Sequence, residues 1–495
     1  MLRSTLQFVA LLPGCMLPVL AAPSYAVPKQ GSIEWKNCTI PLDGAECGKI
    51  SVPIDYSQPT GRTTTLAMVR AKSNSTTPKG TIFLNPGGPG GSGVELLVGL
   101  LQSPTLPGME LLKDYHLIGL DPRGVGQSSP IKCSAKLWNI RVPTMVETEA
   151  EYKAMARHWK AVGHSCRMLT GPLFDHLDTT HVVRDFDFVR QAIGEEKFNL
   201  VGLSYGTQIA YTYAEMFPQN VGRLLLDGVL DHGQRGIDTV QTESAAFEIT
   251  LHKFFEWCEG DETCSLHDKG DVQAFFKRLT AKALAKPLDA PNCNQTAEAP
   301  CRSSVTLEEL ITSVQGGLIP GQAQWGALAD NLLAASKGDA SALSVPYFTG
   351  ETDPKGSWAS LAIGCQDWGR ARGFADLRAV QHATNTLSPL TLGYTQSLGY
   401  YARCVSWPVK PSNPQQALKK GITHAPPMLL ANSFWDPSTS VQWAVSIHEQ
   451  IPNSVLVFRN GSGHTSYNSP GEIATAMNEF LLEGKLPKEG TVYQN

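Results

Sequence analysis

The sequence predicts an α/β protein, a mainly parallel β-sheet covered by helices on both faces, with a long and mainly helical segment inserted between two late strands. Three observations carry this reading. Short apolar runs of strand length alternate with amphipathic stretches at helical spacing, as in a sheet whose crossovers are helices. The runs end in turns rich in Gly, Pro and Asp. Between His232 and Pro427 the strand-like runs stop and helix-like stretches replace them.

The elements follow in chain order. "TTTLAMVRA" (63–71) and "GTIFLNPGGPGGSG" (80–93) read as strands, the second ending in a glycine-rich loop, and "YHLIGLDPRGVGQSS" (115–129) as a strand ending in a turn. "TTHVVRDFDFVRQAIG" (179–194) has helical spacing, "FNLVGLS" (198–204) is a strand, and "TQIAYTYAEMFP" (207–218) is a helix. "VGRLLLDGVLD" (221–231) and "PPMLLANSFWD" (426–436) are further strands. "SVQWAVSIHEQI" (440–451) is a helix, "SVLVFRN" (454–460) a strand and "EIATAMNEFLLEG" (472–484) a closing helix. Inside the insertion, "SAAFEITLHKFFEWC" and "VQAFFKRLTAKALA" read as helices around the Pro/Cys-rich connector "KPLDAPNCNQTAEAPC". The division expected is a signal peptide at 1–26, a first core part at 27–232, a helical cap at 233–410 and a second core part at 411–495.

Composition limits the function classes. With 42% hydrophobic and 17% charged residues the chain can bury a sizeable core. The net charge of −4, without runs of one sign, gives no polyanion-binding surface, so nucleic acid is not an expected partner. The first segment has a basic start at Arg3, an apolar stretch to Ala22 and small residues at Ser24 and Ala26, the form of a secretory signal. Pro13 and Pro18 break the run, which is shorter than the roughly 20 residues of a spanning helix. A secreted protein with no membrane association after signal removal is expected.

Cysteine usage agrees with an oxidising compartment. Beyond Cys15 there are ten cysteines, at 38, 47, 133, 166, 258, 264, 293, 301, 365 and 404, an even set suited to disulfides. Sequential pairing (Cys38–Cys47, Cys133–Cys166, Cys258–Cys264, Cys293–Cys301, Cys365–Cys404) closes the shortest loops, although spacing alone leaves the connectivity open. There is no C-x-x-C pair and no clustered Cys/His spacing, so no metal is expected. Asn37, Asn74, Asn294 and Asn460 head N-x-[ST] sequons and would mark surface.

The chemistry centres on Gly202-Leu203-Ser204-Tyr205-Gly206, a G-x-S-x-G match between a strand and a helix. Glycines two residues either side of a serine allow a sharp turn that exposes its hydroxyl. A serine nucleophile needs a base, an acid to orient the base, and donors for the developing oxyanion. Asp436, in "ANSFWDPSTS", and His464, in "GSGHTSY", each follow an apolar strand, and the order Ser, Asp, His is that of the α/β-hydrolase arrangement. His448 falls inside a helix and His424 precedes its strand, so His464 is preferred. Asp227 and Asp231 end an earlier strand and compete with Asp436, but Asp227 reads better as a structural turn residue. "NPGGPGGSG" (85–93) lets backbone approach a reacting carbonyl, placing Gly88 with Tyr205 as oxyanion donors. A phosphate-binding loop is the rival, but its Gly-Lys-Ser/Thr ending is absent.

At these residues the sequence resembles the tripeptidyl-aminopeptidase and proline-iminopeptidase branch of the α/β-hydrolase superfamily. "NPGGPGGSG", "DPRGVGQSS", "GLSYGT", "FWDPST" and "GSGHTSY" recur in that order over most of the mature chain, and the "WC…C" pair at Trp257-Cys258 and Cys264 is also similar. The resemblance implies an α/β-hydrolase core with a helical cap and no metal or organic cofactor. It also implies Ser204 as nucleophile, His464 as general base and acid, Asp436 as its orienter, and Gly88 and Tyr205 as oxyanion donors. Pro86-Gly87-Gly88-Pro89 stands where many iminopeptidases have His-Gly-Gly-Pro, which points toward the tripeptidyl subgroup, and "ANSFWDPST" departs from that subgroup's usual Gly-x-x-Asp turn. Such exopeptidases use cap carboxylates to hold the substrate ammonium. Glu243, Glu248 and Asp367 are the candidates, with solvated surface charge the default expectation for each. The expected function is a secreted serine aminopeptidase acting on a peptide or small acyl substrate. The alternatives are an esterase, lactonase or amidase for a small metabolite, and a non-catalytic binding protein on the same scaffold. The sequence does not give an oligomeric state.

Overall fold

Among the described residues ten strands form one sheet in the order β1-β2-β3-β5-β4-β6-β7-β8-β9-β10. They are β1 (Lys36–Asn37), β2 (Ala45–Pro53), β3 (Thr63–Ala71), β4 (Thr81–Asn85), β5 (His116–Leu120), β6 (Phe198–Leu203), β7 (Val221–Asp227), β8 (Met428–Trp435), β9 (Ser454–Ser462) and β10 (Val492–Gln494). This computed structural model describes residues 33–38, 44–294, 300–350, 353 and 356–494. The segment read as a signal peptide lies outside the described residues. From β5 to β10 every neighbouring pair is parallel, and β1, β2 and β3 extend the sheet with antiparallel pairs.

The near-continuous apolar character of the central strands follows from burial on both faces. Alternate residues feed two cores. Phe83, Leu200, Leu226 and Leu430 point to one, while Ile82, Leu84, Val201, Leu225 and Leu429 point to the other. Each such side chain contributes about 1.5–3 kcal/mol on burial. Strand β2, next to the short edge strand β1, was not singled out in the sequence because its polar residues interrupt the apolar pattern; from Gly48 to Val52 it alternates buried and exposed positions as a half-covered strand does. Helices Gly93–Gln102 and Glu149–Thr170 were likewise not singled out.

Between β7 and β8 the chain is mainly helical, from Ile237–Gly260 and Val272–Ala285 through to Gln396–Arg403. It also carries a pair of two-residue antiparallel strands, Leu288–Asp289 and Ser304–Val305. The insertion does not stand apart from the sheet: Phe247, Leu251, Trp325 and Leu361 belong to the same apolar cluster as Phe83 and Leu226. Five disulfides join sequential cysteines: Cys38–Cys47, Cys133–Cys166, Cys258–Cys264, Cys293–Cys301 and Cys365–Cys404. Asn37, Asn74, Asn294 and Asn460 are all exposed. Among the described residues no helix is long and apolar enough to cross a membrane.

The "DPRG" turn after β5 has a structural role. Arg123 is fully buried and pairs with Asp185 through two hydrogen bonds, Nε to Oδ2 (2.7 Å) and Nη2 to Oδ1 (2.6 Å). Its remaining N–H groups donate to the carbonyls of Pro53, Ile54 and His176. A buried guanidinium is tolerable only with this complete set of partners.

Candidate active site

Strand β6 is buried along its length and delivers Ser204 directly into helix Tyr205–Met216. Ser204 has φ 58° and ψ −127°, a strained conformation for a residue with a side chain, costing about 1–3 kcal/mol. Its N–H donates to the Asp227 carbonyl at the end of β7 (2.9 Å). Two glycines make the turn possible. A Cβ on Gly202 would stand 2.5 Å from the Gly206 carbonyl oxygen, and one on Gly206 would stand 2.8 Å from the Asn85 carbonyl. Ser204 is half-buried while its neighbours on both sides are buried, which leaves it at the tip of the turn.

Loop 86–91 crosses directly over this elbow. Asn85 Oδ1 accepts the Gly87 N–H (3.0 Å) and starts the turn. Gly87 has φ +87°, and a Cβ there would lie 2.4 Å from the Leu203 carbonyl, 2.7 Å from the Tyr205 nitrogen and 2.8 Å from Ser204 Cβ. Only glycine permits that approach. Gly88 and Ser204 line the same cavity.

Asp436 and His464 come from the loops after β8 and β9, which pair in parallel with a register shift between Ser433 and Trp435. Nδ1 of His464 donates to Oδ2 of Asp436 (2.7 Å). The other carboxylate oxygen of Asp436 accepts the N–H groups of Ser438 and Thr439 (2.8 Å each), and Thr439 Oγ1 donates to Oδ2 (2.8 Å). With Nδ1 carrying the proton, Nε2 of a neutral His464 is left as an acceptor. Burial opposes a charge on the ring, but Asp436, with Asp227 and Glu243 behind it, outweighs this and holds the imidazole above its ordinary value of 6.5. The ring sits beside Gly228: a Cβ there would meet His464 Cε1 at 2.9 Å. Gly228 adjoins the carbonyl that anchors Ser204, so the loops after β6, β7, β8 and β9 converge at one end of the sheet, where open parallel sheets build their sites.

The cavity over Ser204 is small, with a volume of about 40 Å³. Trp368, Tyr400, Tyr401 and Trp443 give it aromatic walls, and Glu243 and Asp231 each bring a carboxylate to its lining. Glu243 lies on helix Ile237–Gly260 and is only 2% exposed. Its Oε2 accepts the Ser397 N–H (2.8 Å), and its Oε1 accepts Gln315 Nε2 (3.1 Å) and the Gln396 N–H (3.3 Å). All these partners are neutral dipoles. Burial pushes its pKa up against hydrogen bonds from Ser397, Gln315 and Gln396. Gln315 also donates to the Pro437 carbonyl (2.9 Å), tying Glu243 to the turn that carries Asp436.

The default expectation for the three cap carboxylates does not hold: Glu243, Glu248 and Asp367 are 2%, 6% and 0% exposed. Each is buried because it collects donors. Glu248 accepts the N–H groups of Leu390 and Thr391 (2.9 and 3.1 Å) and does not line the cavity over Ser204. Asp367 Oδ1 accepts the Thr179 N–H (3.0 Å) and Asn413 Nδ2 (2.9 Å), and Oδ2 meets the hydroxyls of Thr179 (2.7 Å) and Tyr205 (3.0 Å). Burial, with the charge of Asp178 adding to it, pushes Asp367 up to about 7. The competing acids serve other contacts. Asp227 Oδ2 accepts the Tyr467 N–H (2.7 Å), and burial raises its pKa to about 6. Asp231 accepts from Gly233 N and Ser446 Oγ. His448 is in helix Val441–Gln450 against Ser454 (2.8 Å), and His424 ends the turn Lys420–His424 before β8. Thr439, Gln315 and the Ser397 amide are contributors that sequence reasoning missed. Thr439 stands within the quoted "FWDPST", whereas Gln315 and Ser397 carry no local signal.

The sheet order, the strained serine elbow and the paired Asp and His after β8 and β9 define an α/β-hydrolase fold. Residues 80–268 match the family described as alpha/beta hydrolase fold, and residues 388–493 the family described as TAP-like protein. The chain belongs to the TAP-like branch of the α/β-hydrolases. It is similar to serine protease Hip1 of Mycobacterium tuberculosis, at 28% identity over 512 residues, 98% of this chain and 96% of that protein. It is also similar to a tripeptidyl aminopeptidase of Streptomyces lividans, at 27% identity with 94% and 87% covered. Carboxylesterase B of Mycobacterium tuberculosis is a third relative, at 28% identity with 92% and 88% covered.

Proposed function

We propose that the protein is a secreted serine aminopeptidase that releases short peptides or residues from free amino termini through an acyl-enzyme on Ser204. The observation that carries the reading is Glu243, a buried carboxylate with only dipoles for partners, in the cavity that also holds Ser204. Oε2 accepts the Ser397 N–H and keeps lone-pair capacity for a substrate ammonium, which would complete the charge balance of this buried carboxylate. The relatives named as a serine protease and a tripeptidyl aminopeptidase support the same reading. The five disulfides support an extracellular location.

In this mechanism Ser204 Oγ attacks the scissile carbonyl carbon while Nε2 of His464 takes its proton. Asp436 holds the imidazolium that results and fixes which nitrogen faces the serine. The oxyanion meets the N–H groups of Gly88 and Tyr205; as the first residue of its helix, Tyr205 has an N–H that no intrahelical carbonyl can accept. His464 then protonates the leaving amine, and a water, deprotonated by the same ring, hydrolyses the acyl-enzyme. The aromatic walls would hold the side chains of the released segment.

The test is product analysis by mass spectrometry with unmodified peptides, together with labelling by a serine-directed fluorophosphonate. The reading expects label on Ser204, free amino-terminal fragments as products, and loss of both in Ser204→Ala. Turnover of small acyl esters with intact peptides would transfer the function to the metabolite esterase, lactonase or amidase class, a reading that the likeness to a carboxylesterase favours.

A further inference from the structure

We propose that Asp55, His176 and His181 form a binding site for a divalent transition metal of the zinc class, outside the catalytic cavity. One ligand atom from each residue lies within 4.8 Å of the other two. Nδ1 of His176 and Nε2 of His181 are 3.3 Å apart. Two imidazole nitrogens bound to zinc at about 2.0–2.1 Å and a tetrahedral angle stand about 3.4 Å apart, so the rings already hold the spacing that a shared ion requires.

The surroundings complete the case. His181 Nδ1 donates to Oδ2 of Asp178 (2.7 Å), which fixes the tautomer and turns the Nε2 lone pair toward His176. A carboxylate behind a ligand histidine is the usual outer contact of a zinc site. Asp55 follows β2, and its Oδ2 accepts Gln58 Nε2 (3.1 Å) while keeping lone-pair capacity. Without metal, His176 Nδ1–H donates to His181; metal entry needs only the shift of that proton to Nε2 of His176, with no net release. All three residues are half-buried, leaving a face for a water as fourth ligand. Two nitrogens and one carboxylate favour zinc, cobalt or nickel over magnesium or calcium. The nearby cation, Arg123, whose Nη1 donates to the His176 carbonyl (3.0 Å), is neutralised by Asp185. The sequence expectation of no metal rested on Cys/His spacing, which could not see Asp55 brought in from the loop after β2.

The placement ties the site to the catalytic end. His176 and His181 bracket Thr179, which bonds Asp367 and meets the Tyr205 hydroxyl (2.6 Å). An ion here would fix the segment that holds the residue after Ser204. The test uses untagged, chelator-treated full-length protein titrated with Co²⁺ and Zn²⁺. The proposal expects one saturable equivalent with visible d–d absorption for Co²⁺, and a zinc-induced rise in Tm. His181→Ala and the milder His176→Gln and Asp55→Asn should each weaken binding by about 10-fold or more. Absence of saturable binding in the wild type, or binding that all three variants retain unchanged, would overturn it. Circular dichroism of the variants separates loss of the site from loss of the fold.

Discussion

Asp436 and His464, 28 residues apart on the loops after β8 and β9, are joined by a 2.7 Å hydrogen bond from Nδ1 to Oδ2, and Thr439 touches both partners at 2.8 and 3.1 Å. The bond makes the two acids near the histidine distinguishable. Asp436→Asn places an amide against Nδ1–H and favours the wrong tautomer, so kcat should fall by orders of magnitude with the fold retained. Asp227 spends its hydrogen bond on the Tyr467 N–H, and Asp227→Asn should cost far less. Steady-state kinetics on both variants, after a check of folded content, gives the ranking; the reverse order would assign the acid to β7.

The same bond sets a pH limb. In the proposed mechanism catalysis needs neutral His464, whose pKa is held above 6.5 by the negative groups around it. Activity should therefore fall as pH drops through a value above 6.5, and removal of the Asp436 charge should move that limb downward. A limb in Asp436→Asn at or above that of the wild type would contradict the assignment. The linked stability runs the other way: the contribution from a raised histidine is present below about 6.5 and is lost as pH rises through its folded pKa.

Asp367 gives a prediction about stability alone. A carboxyl raised from 3.8 to about 7 favours the folded protein at low pH, and that contribution is lost as pH rises through this window. Both partners of Oδ2 are hydroxyls, which can reverse their direction and accept. Asp367→Asn can then keep the network while removing the buried charge. Its Tm at pH 8 should exceed that of the wild type by roughly a few degrees, with little difference at pH 5. A variant less stable at both pH values would show that the ionised form is the one the network requires.

Glu243 is the specificity prediction. Glu243→Gln preserves shape but not charge, and it should raise KM for peptides with a free amino terminus by about 10-fold or more while leaving small acyl esters nearly unaffected. Equal losses on peptides and esters would place Glu243 in the framework and not in substrate binding.

Much of this site was legible because its parts are local. The elbow at Ser204, the glycines of "NPGGPGG" and the strand-then-loop placement of Asp436 and His464 each leave a signature within about ten residues, since backbone geometry there leaves few residue choices. What the sequence did not show is contributed by pairs far apart in the chain. Glu243 looks like any helical glutamate until Gln315, Gln396 and Ser397 surround it, and the buried Asp367 depends on Thr179, Tyr205 and Asn413. The interrupted pattern of β2 failed for a related reason: a peripheral strand with one face toward water carries fewer apolar residues than the central strands that made the sheet recognisable.

The central claim, that this cavity selects a free amino terminus for an acyl transfer at Ser204, is tested most directly by the wild-type kcat/KM ratio for one peptide reporter in free and N-acetylated forms. Blocking the amine removes the charge-assisted bond and leaves Glu243 buried without its partner, a loss of roughly 2–5 kcal/mol. A preference of about 30-fold or more for the free peptide is expected. Equal turnover of the two forms would contradict it.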